Sequence, residues 1–106
     1  MRINAIRQAC CSADDQVNRL DAVYEVGDST TLEELLRRIL SSGFLQYSST
    51  HNQLSAEVAG RQIAEVSPSG ISKWTTGVLP AEPVTTAIGS NTLHFAFRPN
   101  ATGLVG

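Results

Sequence analysis

Cysteine is scarce in this 106-residue chain, and the two present, Cys10 and Cys11, are adjacent. On a strand their side chains point to opposite faces, so they neither close an unstrained ring nor share a tetrahedral metal easily. The only histidines are His51 and His94, and no paired-His or C-x-x-C spacing occurs. A disulfide framework is therefore not expected, and neither is a metal site or any other cofactor. Charge is sparse as well: Asp, Glu, Lys and Arg make up 17% of residues and sum to −2. The one local basic cluster, Arg37–Arg38, lies beside Glu33 and Glu34. A nucleic-acid partner needs a basic stripe, so none is expected.

Long apolar runs are missing too. Nothing approaches the roughly 18 residues of a membrane span, and mean hydropathy is −0.06. The first residues, MRINAIRQACC, carry no apolar stretch of the roughly 7–15 residues that a secretory signal uses. The expected compartment is the cytoplasm. Catalytic motifs are equally thin. There is no G-x-S-x-G, and Ala59-Gly60-Arg61 lacks the second glycine and the lysine of a phosphate loop. The adjacent acids Asp14–Asp15 fall in a polar turn, and Glu33–Glu34 fall on a solvated helix face. No spacing brings a cysteine to a histidine. The expectation is a protein that is not an enzyme.

What is present is a clear architectural signal in residues 19–43, RLDAVYEVGDSTTLEELLRRILSSG. Leu20, Ala22, Tyr24 and Val26 alternate against Asp21, Val23 and Glu25, which predicts a half-buried strand. Leu32, Leu35, Leu36, Ile39 and Leu40 then recur at helical spacing, an apolar arc of roughly 140°. Thr30 with Glu33, or Thr31 with Glu34, reads as a capping box, and Gly43 as the left-handed stop. Glu33 with Arg37, and Glu34 with Arg38, are i,i+4 pairs in the favourable order. Each buried aliphatic stabilises by roughly 1.5–3 kcal/mol before entropy is charged, against a few tenths for each surface pair. Packing, rather than charge, is what holds this helix.

Further strands are predicted over Met1–Cys11, with Ile3 and Ile6 as core candidates whose odd spacing suggests a bulge or a mixed register, then over Phe44–Ser48, Leu54–Ala59 and Gln62–Val66. A tight turn at Gly60–Arg61 joins the last two. From Ser67 to Asn91 only Lys73 and Glu82 are charged, and Pro68, Pro80 and Pro83 interrupt any long element. That stretch reads as a looped excursion with short strands near Ile71–Trp74 and Val84–Ile88. Thr92–Arg98 closes the fold, with Leu93, Phe95 and Phe97 inward and His94 outward. The reading is one α+β domain over 1–98, a mixed four- or five-stranded sheet with one principal helix on one face. Residues 99–106 read as a flexible tail. A chain of this length buries roughly 65% of its unfolded surface, enough for a core without staples.

Several stretches also look similar to one family. The opening methionine strand, the GDSTTLEELLRRI junction, QLSAEVAGRQIAEV and the closing SNTLHFAFR resemble the hairpin–helix–hairpin progression of the ubiquitin-like β-grasp superfamily. The resemblance implies a binding module that works through a sheet face. Two departures stand out: Ser67–Asn91 is longer than that family's loop, and the chain closes on Gly103-Leu104-Val105-Gly106 rather than on paired glycines. Conjugation through the carboxyl end is therefore not implied.

The functional expectation is an intracellular, non-catalytic protein-interaction module that presents a sheet face or edge away from the helix. Trp74, Tyr47 and His94 are its candidate binding residues. Each also has a plainer reading: Trp74 as a core tryptophan, Tyr47 likewise with its hydroxyl at the surface, His94 as a solvent-facing strand residue. A protein is the expected partner, with a second copy joined through an exposed edge as another arrangement. The alternatives are a small bacterial immunity or antitoxin-type inhibitor of a partner toxin, and a small-ligand domain or enzyme with a pocket between the helix and loop 67–91.

Overall fold

Strict alternation along the first strand sets the two sides of the molecule. In the computed structural model, which describes residues 1–9, 19–48 and 51–97, β1 (Arg2–Arg7) buries Ile3, Ala5 and Arg7 and exposes the residues between them. It pairs antiparallel with β2 (Asp21–Glu25), where Tyr24 is buried between exposed Val23 and Glu25. The chain then enters helix α1 (Leu32–Ser41), followed by β3 (Leu54–Val58), β4 (Arg61–Ser67) and β5 (Gly70–Trp74). A single helical turn, α2 (Val84–Ala87), precedes the closing β6 (Leu93–Phe97). The six strands form one mixed sheet in the order β2-β1-β6-β3-β4-β5. β1 and β6 run parallel, and the other neighbours are antiparallel.

α1 forms where the period predicts and for the reasons given. Leu32, Leu35, Leu36 and Ile39 are each at most 1% exposed, and Leu40 packs at their margin. The capping box belongs to Thr31: its hydroxyl accepts from the Glu34 N–H, and the Glu34 carboxylate accepts from the Thr31 N–H. The neighbouring N–H groups are taken too, Leu32 donating to the Glu82 carbonyl and Glu33 to that of Pro80. The segment after β5 is thus latched across the start of the helix. Gly43, at φ +80°, stops it. Arg37 pairs with Glu33 at 2.7 Å. Arg38 does not pair with Glu34; it reaches instead to the Glu25 carbonyl at 2.6 Å and over the Tyr24 ring.

The Glu34 carboxyl is held below the usual carboxylate range by the Thr31 backbone N–H and then by the Thr31 hydroxyl. A carboxyl lowered on folding stabilises above its unfolded value, and that contribution is lost as pH falls through its folded value. Thr31→Ala is expected to cost about 1 kcal/mol at neutral pH. The gap from wild type should narrow as pH drops below about 4. Urea melts of both proteins at several pH values check this.

The core lies between the sheet and α1. Cross-strand rows on that side run Arg7, Phe95, Ala56, Ala64, Trp74, and beside them Phe97, Leu54, Val66, Ile71. The β3–β4 turn sits at Ala59-Gly60, one residue earlier than expected, with both residues in the left-handed region at φ +53° and +80°. That is the conformation of a two-residue primed hairpin turn.

Five expectations are corrected. The sheet has six strands, not four or five. Residues 44–48 form no strand: Leu45 is buried and Phe44 packs edge-on against Tyr24, but their backbone joins no ladder. Val84–Ile88 is not a strand either, because Val84 and Ile88 bury one face at helical spacing. β1 carries no bulge, since its register with β2 is continuous. Ile6 is not core; it is 43% exposed, and Arg7 takes the inward place over the Phe44 ring. Cys10, Cys11, Asp14, Asp15 and the 99–106 segment lie outside the described residues.

Candidate functional site

Both described helices lie on one side of the sheet, and no described helix or strand covers the other, although Ser55 on that side is only 6% exposed. On that open face a row crosses five strands: Asp21, Ile6, His94, Glu57 and Gln62. A second row crosses four: Ala96, Ser55, Glu65 and Lys73. Asn4 stands opposite Val23, which places Ile6 and Val23 as diagonal neighbours. They are 43% and 56% exposed. Small residues, Ser55 and Ala96, stand in the middle of the face.

The charge on this face is mixed. Asp21, Glu25, Glu57 and Glu65 stand against Arg2, Lys73 and, at its edge, Arg19. Glu25 is partly neutralised: Arg2 donates to it at 2.9 Å, and that bond holds its carboxyl below the usual range. Arg19 reaches Asp21 at 3.3 Å. Exposed pairs of this kind contribute little to stability and leave mixed charge around an apolar spot.

The three candidate residues do not gather. His94 lies on the open face between Ile6 and Glu57. Trp74 lies on the helix side of edge strand β5, opposite Ala64, half-buried against the core. Tyr47 is also on the helix side. It packs at the core margin beside Leu40 and the β4–β5 turn, its hydroxyl is buried rather than at the surface as expected, and burial raises its phenol above the usual value. Sequence reasoning overlooked Ile6 as a surface residue. The signal was available in the alternation Ile3, Ala5, Arg7, which leaves Ile6 on the other side whatever its hydropathy.

Among the described residues no three of His, Cys, Asp and Glu come together as a metal cluster. Among the same residues no helix is long and apolar enough to cross a membrane. Set beside known protein families, curated proteins and solved structures, the chain matches none of them.

Proposed function

We propose that this chain is an intracellular, non-catalytic protein-interaction module of β-grasp-like topology, recognising its partner through the open sheet face. The topological part is supported by the order β2-β1-β6-β3-β4 with β1 and β6 parallel, and by α1 lying between the two hairpins. On this reading β5 is an addition at one edge, which accounts for the long Ser67–Asn91 stretch.

One observation carries the functional part: the face opposite α1 is uncovered by any described element, yet it presents exposed Ile6 and Val23 together. Single exposed aliphatics are ordinary on protein surfaces, whereas two adjacent ones on a sheet face make the centre of a contact patch. The four carboxylates, set against Arg2, Arg19 and Lys73, favour a partner with an apolar centre and polar groups at its rim.

The test is affinity capture from the source cells with three baits: wild type, Ile6→Glu/Val23→Glu, and Arg37→Ala on the outer side of α1. Both replaced aliphatics are exposed, so circular dichroism should be unchanged. A protein held by wild type and Arg37→Ala, and lost at least about tenfold by the double variant, is the expected result. Equal capture by all three baits contradicts the reading.

A further inference from the structure

A second site lies on the other side of the molecule, independent of the open face. A cleft of about 330 Å³ opens between the start of α1, the β3–β4 turn and the segment 77–91. That volume falls at the small end of small-molecule sites. Leu32, Val58 and Ile63, each under a tenth exposed, supply an apolar floor. Arg61, Glu82 and Asn91 supply the polar lining.

The N-terminus of α1 offers this cleft no anion site, because its first N–H groups are already given to Glu82, Pro80 and Thr31. The charges a ligand would meet are therefore those of the side chains. Arg61 and Glu82, of opposite charge, both line the cleft and form no ion pair with each other. The ion pairs among the described residues are Arg2–Glu25, Arg19–Asp21 and Arg37–Glu33. Asn91 gives its amide N–H to the Ile88 carbonyl and leaves its side-chain oxygen to accept.

A cation, an anion and an acceptor around a hydrocarbon floor match one ligand chemistry. We propose that the cleft binds a small zwitterion with an aliphatic side chain, an apolar amino acid or a short apolar peptide. Its carboxylate would lie against Arg61, its ammonium against Glu82 and Asn91, and its hydrocarbon over Leu32, Val58 and Ile63. A ligand bearing one charge would leave the other lining charge without a partner. A ligand bearing none would leave both.

Nitrogen-15 NMR titration of the full chain tests this, with L-leucine and L-leucyl-L-leucine as probes and N-acetyl-L-leucinamide as the uncharged analogue. At least one zwitterion should give saturable shifts at the amides of Ala59, Gly77 and Asn91, and the better one tells amino acid from peptide. The uncharged analogue should bind about tenfold more weakly, and Arg61→Met and Glu82→Gln should each weaken the zwitterion by a similar factor. Both variants lie on the rim and should keep the wild-type spectrum elsewhere. No saturable shift with either zwitterion, equal binding of the uncharged analogue, or shifts centred on Ile6 and Val23 would each overturn the proposal. Ile6→Glu/Val23→Glu should bind the zwitterion as wild type does, so either site can fail without the other.

Discussion

Leu36→Asp is expected to abolish folding. Leu36 is 0% exposed in the middle of the α1 stripe, between Leu35 and Ile39, which are equally buried. Truncating a buried leucine costs about 2–5 kcal/mol. Placing a carboxylate there without a partner adds several more, or forces it to take up a proton. A domain of this size is stable by only about 5–15 kcal/mol. Circular dichroism should show loss of the helix, with no cooperative melt. Aspartate at exposed Ser41 in the last turn of the same helix should cost under about 1 kcal/mol, mostly through the helix dipole. A native melt for Leu36→Asp would mean that the stripe does not face the sheet.

Phe95→Ala has the next largest expected effect. Phe95 is 1% exposed on β6, with three strands on one side of it and two on the other. Across the ladders it stands opposite Arg7 on β1 and Ala56 on β3, and Ala64 follows Ala56 on β4. Two alanines in that row leave the ring to fill the space beneath α1. Small neighbours cannot close the cavity that its removal leaves, so the cost should lie near the upper part of about 3–5 kcal/mol. That corresponds to a fall in Tm of roughly 15–30 °C. Differential scanning calorimetry measures it, and a fall of only a few degrees would place the ring outside the core.

The sequence made the periodic elements legible and hid the irregular ones. β2 and α1 could be read because one face of each is buried, and β3 because Leu54, Ala56 and Val58 alternate toward the core, so hydropathy and geometry share a period. Residues 44–48 misled because an apolar run reports burial alone, and Leu45 is buried without joining a ladder. Val84–Ile88 misled through Thr85 and Thr86, which favour strands, while Val84 and Ile88 already stood at i,i+4 between Pro83 and Gly89. In β1 the hydropathic Ile6 and the charged Arg7 exchange their usual sides, with the Phe44 ring receiving the guanidinium.

The candidate sites were less legible than the fold. His94 was placed correctly as outward, but its neighbours Ile6 and Glu57 come from strands that only the sheet order joins. The cleft needs Arg61 from a hairpin and Glu82 from a loop with no periodicity of its own. No local pattern records either meeting.

The proposed protein interaction rests on which side of the β layer meets the partner. A photo-reactive amino acid installed at Val23, and separately at Arg37, and irradiated inside the source cells decides it. Adducts with one protein from position 23 and none from position 37 are the predicted outcome. Adducts from position 37 alone would contradict it, moving recognition to the helix.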